Sequence, residues 1–298
     1  MKTKSFTLIE LLVVIVIIGI LAGAIVVSTS AYIDKAKITK GKVFSNSVLN
    51  NISTGMVSRW KLNGTGTTTT DTDVWGFNNG TLNSFNFNTV SGWADEKDCV
   101  EGTCLRFDGV DDYFSFPSAV MNDFKTFEFW FKANSISSAS RDWTINAIFF
   151  DNGSNLLYDE FALHLYNSNT LSAGWGGAGY QYDLVYSEIR TNEWYLVTVT
   201  VGDQNTYLYI NGEEKNIDTA TTEIKNYIPS ANAPQFGHHP GSYPSFNGLI
   251  DDIRIYNKGL SSSEVKRNYI AGLNSFLLSG NISNEEYKER LNVLSYKK

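Results

Sequence analysis

The stretch Phe6-Thr-Leu-Ile-Glu10 opens an apolar run that continues without a charge from Leu11 to Val27. The 22 residues from Phe6 to Val27 are enough for a membrane-spanning helix, which at this length would measure about 33 Å. Glu10 is the one carboxylate in this segment. Because an ionised carboxylate is costly in hydrocarbon, its presence indicates a functional role inside the membrane.

The flanking residues set the orientation of this helix. Lys2 and Lys4 precede it, so the positive-inside rule predicts a cytoplasmic N-terminus and an external remainder of the chain. A secretory signal peptide or a plain membrane anchor would also carry an apolar segment. Neither alternative explains why a glutamate stands at its start.

The segment Lys4-Ser5-Phe6-Thr-Leu-Ile-Glu10 resembles the N-termini of type IV pilins and of type II secretion pseudopilins. The resemblance implies that a prepilin peptidase removes the leader, residues 1–5, by cutting between Ser5 and Phe6, and that Phe6 is then N-methylated. Ser5 departs from the family, which usually has glycine before the cut. The implied partners are identical or related pilin subunits and the pilus assembly machinery. The implied location is the bacterial inner membrane for the precursor and then an extracellular filament.

Cleavage would give Phe6 a positive α-amine, which can pair with Glu10 of a neighbouring subunit and set the register of assembly. Gly19 and Gly23 form a Gly-x-x-x-Gly step that permits close helix approach or simply adds flexibility. A stripe at four-residue spacing extends the helix as a stalk, so residues 6–54 are predicted to be one transmembrane and stalk helix. The stripe consists of Phe44, Val48, Ile52 and Met56.

The chain changes character at about residue 55, where short β-type runs separated by turn signals begin. Residues 126–132 and 194–201 alternate between apolar and polar side chains, and Thr206–Ile210 runs into the hairpin signal Asn211-Gly212. The pattern predicts an antiparallel β-sandwich. The net charge of −7 and the lack of a basic cluster argue against nucleic-acid binding by this domain.

Four segments in order resemble the laminin-G-like, concanavalin A-like jelly-roll family: residues 105–113, 194–200, 207–212 and 246–257. The resemblance implies two packed antiparallel sheets over residues 55–258, binding of glycans or proteins, and in many members a structural Ca²⁺. The predicted fold class is therefore α+β, with a long N-terminal helix, a jelly-roll sandwich and a short C-terminal helical hairpin over residues 259–298. Ser261 with Glu264 predicts the first helix of this hairpin. The hairpin is expected to pack on its own domain or to contact another subunit.

Cys99 and Cys104 are the only cysteines of the chain. Outside the cytoplasm their spacing predicts a disulfide that closes a short turn, with two free thiols as the alternative. Without matching histidines, the pair does not indicate a zinc site.

A calcium site is predicted from a conflict in the last strand, Leu249 to Tyr256. Strict alternation places Asp251 on the same face as Leu249, Ile253 and Ile255, where a carboxylate needs a cation or hydrogen-bond donors. Backbone N–H groups, Arg106 or Arg254 could satisfy Asp251 instead, and so could a different strand register. The further candidate ligands are Asp108, Asp111, Asp112 and, less strongly, Asp73.

Aromatic residues in loop-like segments are candidates for stacking on a sugar, although aromatic side chains also fill cores. These are Trp143, Trp175, Tyr180 and Tyr182. Glu96, Asp98 and Glu101 have the spacing of carboxylates in some jelly-roll glycosidases. Because Glu101 falls in the cysteine turn, no catalytic activity is expected.

The sequence thus predicts a structural subunit of an extracellular type IV pilus-like filament, displaying a lectin-like β-sandwich that adheres to a surface glycan or protein. The alternatives are a pseudopilin of a type II secretion or DNA-uptake machine and, less well supported, a filament-tethered glycosidase-like domain.

Overall fold

The computed structural model describes residues 8–22, 43, 47, 54–138, 147–150, 161–175, 181–202, 205–218, 232–238 and 245–295. The chain divides into two compact units, Met1–Phe44 and Ser45–Lys298. In the first unit, residues 8–22 form helix α1, and Glu10 lies in it with an exposed side chain. Within the described residues, no helix reaches the length and apolarity of a membrane span. Ser5 and Phe6 lie outside the described residues.

The second unit is a sandwich of two antiparallel sheets. One sheet has the strand order β14-β13-β12-β7-β16-β5-β4, with β1 also paired to β16, and the other has the order β11-β10-β9-β8-β15-β6-β3-β2. In chain order the strands are β1 (Met56–Trp60), β2 (Thr70–Asp71), β3 (Gly80–Asn83), β4 (Gly92–Ala94), β5 (Cys104–Asp108), β6 (Tyr113–Ser115), β7 (Thr126–Ala133), β8 (Ala147–Phe150), β9 (Phe161–Tyr166), β10 (Thr170–Trp175), β11 (Gln181–Tyr186), β12 (Tyr195–Val201), β13 (Thr206–Ile210), β14 (Glu213–Asp218), β15 (Gln235–Phe236) and β16 (Asn247–Tyr256). We call the sheet that contains β16 the front sheet. The predicted jelly-roll sandwich is confirmed.

The four-residue stripe does not extend to Met56, which lies past the predicted end of the stalk helix at residue 54. Met56 is buried and begins β1. Gly55, immediately before it, has a left-handed φ of 88°, which redirects the chain. The other stripe residues, Phe44, Val48 and Ile52, lie outside the described residues.

The core between the sheets is built from the alternating apolar residues of the strands. In β7, Phe127, Phe129 and Phe131 point into this core and are buried. Aromatic rings of both sheets meet there, with Phe127 stacked on Phe236 at a centroid distance of 5.6 Å. The polar and larger residues between them, Glu128, Trp130 and Lys132, lie on the opposite, outer face of the front sheet because strand side chains alternate.

The outer face of the front sheet is partly covered by the C-terminal helices α2 (Ser262–Ser279) and α3 (Asn284–Ser295). Trp130 and Leu249 of the sheet pack against Leu273 and Phe276 of α2 in a second apolar cluster. Gly272 permits this approach, because a Cβ there would lie 2.3 Å from Trp130 Cζ2. The predicted capping box of Ser261 and Glu264 is present, and Gly280 ends α2 with φ 77°. The helical hairpin therefore packs on its own domain.

The disulfide between Cys99 and Cys104 is confirmed, with both residues buried. It closes a turn that lies on the outer face of the front sheet. Val100 N and Glu101 N donate to the carboxylate of Asp251, at 2.8 and 3.2 Å.

The predicted face of Asp251 is wrong in one respect. Asp251 shares the outer face with Leu249, but Ile253 and Ile255 belong to the core between the sheets. A bulge in β16 between Asp251 and Arg254 shifts the register, and Asp252 adopts a left-handed φ of 47° there. The bulge reverses the alternation, so strict period-two reasoning fails beyond Asp251.

Candidate polar pocket on the front sheet

The outer face of the front sheet carries an open pocket of about 600 Å³. Its floor comes from the neighbouring strands β5, β16 and β7. In register, Leu249 lies between Arg106 and Lys132. In the next row, Asn247 pairs with Asp108 on one side and with Asn134, just past β7, on the other. Neighbouring strands are about 4.8 Å apart, so the floor is about 10 Å wide.

The walls of the pocket come from segments that lie outside the three floor strands. One wall is the short 3-10 helix that contains Asp98, just before the disulfide turn, and another is the turn at Asn192, which has a left-handed φ of 62°. Thr89 and Val90 before β4, and Val110 after β5, complete the rim. Residues far apart in the chain thus surround one patch of polar side chains.

Two basic side chains project from the floor, and acceptor oxygens of the protein contact both of them. Arg106 pairs with the carboxylate of Asp98 at 3.1 Å and donates to the carbonyl of Thr89. Lys132 Nζ donates to the carbonyl of Asp98 at 3.2 Å and lies 5.3 Å from the ring centroid of Trp194. Burial lowers the pKa of the Lys132 ammonium, which outweighs the opposing effect of Asp98. The Nζ group of Lys132 carries further protons that a ligand oxygen can accept.

Side-chain amides supply donors and acceptors beside these cations. Asn134 Nδ2 donates to Asn247 Oδ1 at 3.0 Å, and Asn247 Nδ2 donates to the carbonyl of Asp108 at 3.0 Å. These bonds fix the orientation of both amides on the floor. The pocket thus mixes fixed cations, carboxylates and amides, an arrangement suited to a ligand whose groups both donate and accept hydrogen bonds.

The predicted acidic turn contributes Asp108 and Val110 to the lining of the pocket. One carboxylate oxygen from each of Asp108, Asp111 and Asp112 lies within 4.8 Å of the others. Ser91 Oγ and the backbone N–H of Asp108 donate to Asp112. Burial, with further contributions from the charges of Asp108 and Asp111, nevertheless raises the pKa of Asp112 to about 7. Three carboxylates crowded in this way fit a hard cation such as Ca²⁺, which takes oxygen ligands.

The other predicted metal ligands lie elsewhere. Asp251 is four residues from Asn247 along β16, about 13 Å from the acidic turn, and the disulfide turn donates to it. Burial raises its pKa well above the ordinary value, and the charge of Asp252 adds to this effect. Both carboxylate oxygens of Asp73 accept backbone N–H groups. The structure therefore brings together only three of the five predicted ligands.

The described residues that line this pocket include none of the predicted stacking aromatics. Trp143 and Tyr180 lie outside the described residues, and Trp175 and Tyr182 are described only as residues of β10 and β11. Glu96 and Asp98 lie in a short 3-10 helix, whereas Glu101 lies in the disulfide turn and pairs with Lys61. These three carboxylates therefore do not line up along one strand.

The pocket floor was not predicted from the sequence. Arg106, Lys132 and Asn247 each occupy a polar position in an alternating strand, which was the available signal. The sequence of one strand does not indicate which polar residues of the neighbouring strands will lie beside its own polar residues. Their placement depends on the register between the strands.

The family model described as the concanavalin A-like lectin/glucanases superfamily matches residues 108–266. A second family model, the prokaryotic N-terminal methylation motif, matches residues 1–26. The resemblance to pilin-type N-termini fused to a laminin-G-like domain is therefore confirmed. The comparison with curated proteins found no match.

Solved structures with the same fold include an enzyme and binding domains. Domain 4 of AbnA, a GH43 extracellular arabinanase from Geobacillus stearothermophilus solved with arabinotriose, is 19% identical, with a TM-score of 0.53 over 72% of this chain and 98% of that one. The botulinum neurotoxin serotype D binding domain is 18% identical, with a TM-score of 0.53 over 74% of this chain and 52% of that one. The chain thus spans about half of that toxin domain.

A sialidase from Trypanosoma rangeli, solved with the inhibitor DANA, is 14% identical, with a TM-score of 0.50 over 72% of this chain and 32% of that one. At these identities the likenesses show the fold alone, and the fold occurs in both glycosidases and non-enzymatic binding domains. The match of the family model over residues 108–266 covers more than half of the sequence. The chain belongs to the concanavalin A-like lectin/glucanases superfamily.

Proposed function

We propose that this chain is a subunit of an extracellular type IV pilus-like filament and that its β-sandwich binds carbohydrate on a surface. The observation that carries the proposal is the presence, in one chain, of the methylation motif at residues 1–26 and the concanavalin A-like domain. The motif implies a membrane-anchored precursor that is processed and assembled. The domain would then be displayed along or at the tip of the filament.

The chemistry of the front-sheet pocket supports a carbohydrate ligand. A sugar presents hydroxyl groups that both donate and accept, and the floor offers donors from Lys132 and Arg106 beside acceptors from Asn134 and Asp108. The nearby acids offset the two cations, so the pocket favours a neutral polyhydroxyl ligand over a strong anion. The role proposed for this pocket is binding, without cleavage.

The filament and the binding site are tested separately. We expect immunogold electron microscopy, with an antibody against residues 54–298, to label surface filaments, and intact mass to show mature subunits that begin at a methylated Phe6. Secretion or DNA-uptake defects without labelled filaments would favour the pseudopilin alternative. Subunits that retain Met1 would contradict the processing.

Binding is measured as retention of the full-length chain on a panel of immobilised neutral glycans, in a detergent without a sugar headgroup. We expect Lys132→Ala and Asn247→Ala to weaken retention at least tenfold, because each removes a fixed donor or acceptor from the pocket floor. Lys125→Ala is the matched control, since this exposed lysine precedes the opposite end of β7. If all three variants were retained equally, the pocket would be excluded as the glycan-binding site.

We further propose that Asp108, Asp111 and Asp112 hold a Ca²⁺ ion. We expect millimolar Ca²⁺ at pH 7.5 to raise the melting temperature of the full-length chain by several degrees relative to chelator, because the ion relieves repulsion among the three carboxylates. Asp111→Asn should remove most of this difference. Identical melting midpoints with and without Ca²⁺ would contradict the site.

A further inference from the structure

A second surface feature lies apart from the polar pocket, in the loop between β2 and β3. Its residues Val74, Trp75 and Phe77 expose 52%, 51% and 102% of their surface. Scattered exposed apolar side chains need no explanation, but three exposed apolar side chains within four consecutive residues, two of them aromatic, indicate an interaction site. The stretch from Val74 to Asn78 carries no charged residue.

The loop is held rigidly from beneath, although its tip is in solvent. Oδ1 of the Asp73 carboxylate accepts the backbone N–H groups of Arg59, Trp75 and Gly76 at 2.9, 3.0 and 2.9 Å, and Oδ2 accepts that of Asn78 at 3.2 Å. Burial alone would raise the pKa of Asp73, but the donors Gly76, Arg59 and Trp75 outweigh it and hold the pKa below its ordinary value. Asp73 therefore remains an ionised anchor at neutral pH.

Further bonds attach the loop to β1. Trp60 Nε1 donates to the carbonyl of Asn78 at 2.8 Å, and Asn78 Nδ2 donates to Ser58 Oγ at 2.8 Å. Gly76 lies so close to the strand that a Cβ would meet the carbonyl of Val57 at 2.8 Å. The aromatic tip is thus presented by a fixed backbone, so a partner would not have to order the loop.

Size and charge decide among the possible occupants. Three side chains expose on the order of 400 Å² or less, whereas a stable protein interface needs about 800 Å² on each partner. A membrane surface is disfavoured because the tip has no lysine or arginine to attract anionic lipid headgroups. A neutral ligand about the size of an aromatic ring fits both the area and the absence of charge.

We propose that Trp75 and Phe77 form a stacking platform for the apolar face of a pyranose ring in a neutral glycan. The face of an aromatic ring is the negative part of its quadrupole. The C–H groups on one face of a pyranose are weakly positive and apolar, so the two surfaces attract each other in water. This inference rests on the proposed carbohydrate-binding function and adds a second glycan contact, separate from the polar pocket.

The test is retention of the full-length chain on the same panel of neutral glycans, which includes the pyranose oligomers cellohexaose and xylohexaose, in the sugar-free detergent. We expect Trp75→Ser and Phe77→Ser each to weaken retention at least fivefold, and Phe77→Tyr, which keeps the ring, to retain wild-type binding. Val293→Ser is the matched control, because Val293 on α3 is similarly exposed at 57% and lies outside the loop. Melting temperatures of all variants should agree within a few degrees, since the changed side chains contact solvent.

Each outcome separates this inference from the function on which it rests. Retention that is lost in Lys132→Ala but unchanged in Trp75→Ser and Phe77→Ser would overturn the platform and leave carbohydrate binding intact. Absence of wild-type retention on every glycan would overturn both. Unchanged retention with shortened filaments in Phe77→Ser would identify a second copy of the chain as the occupant, and binding of zwitterionic lipid vesicles that is lost in Phe77→Ser would identify a bilayer. Either result would overturn the glycan as the ligand of this loop.

Discussion

Replacing Glu10 with leucine is expected to reduce surface filaments at least tenfold while the precursor remains in the membrane. The substitution makes the apolar segment more hydrophobic, so insertion should not suffer. Assembly should fail because the α-amine of a neighbouring Phe6 would lose its partner and remain a buried, unpaired charge. Glu10 lies in α1 with its side chain exposed, where a neighbouring subunit can reach it.

The measurement compares the sheared filament fraction, counted by electron microscopy, with the membrane fraction detected by antibody. Glu10→Asp is the control, because it keeps the charge and should retain part of the assembly. Intact mass must show that the Glu10→Leu precursor is still cleaved before Phe6, which separates assembly from processing. Normal filament numbers in Glu10→Leu would rule out charge pairing as the basis of register.

The second large effect is expected in a buried charge network beneath α2. Arg254 pairs with Glu128 at 3.0 Å and with Asp252, and Arg59 Nε donates to Asp252 at 2.7 Å. Glu128 is fully buried and also accepts hydrogen bonds from Thr198 and Asn268 of α2, both at 2.9 Å. Burial raises the pKa of Glu128, and Arg254 opposes that rise. The network thus links the sheet to the helix.

Arg254→Met is expected to lower the free energy of unfolding by about 3–5 kcal/mol, because it leaves Glu128 and part of Asp252 buried without a counter-charge. Denaturant titration of the full-length chain in detergent, followed by tryptophan fluorescence, measures this loss.

Arg190→Met is the control for that measurement. Its ion pair with Glu193 is exposed, so the change should be within about 1 kcal/mol. A similar loss of unfolding free energy in the two variants would show that burial of the ion pair does not determine how much it stabilises the fold. A loss confined to Arg254→Met would support the network as the attachment of α2.

Several features of this protein could be predicted from the sequence because each depends on residues close together in the chain. The methylation motif is a contiguous segment, confirmed over residues 1–26. The alternation of Phe127, Phe129 and Phe131 predicted a core face, since strand side chains point alternately to the two faces of a sheet. Ser261 and Glu264 predicted the start of α2, and Cys99 and Cys104 predicted a bond that closes a short turn.

Other features were decided only by the tertiary structure. The bulge at Asp252 moved Asp251 away from the face of Ile253, and no alternation pattern reveals a bulge in advance. Arg106 and Lys132 became neighbours across Leu249 only through the register of three strands. Asp73 is a weak metal candidate by sequence, but in the folded chain its carboxylate accepts the backbone N–H groups of Arg59 and Gly76. Periodicity and short motifs are local properties of the chain, whereas a binding surface depends on which distant segments pair, and pairing is fixed by the packed core.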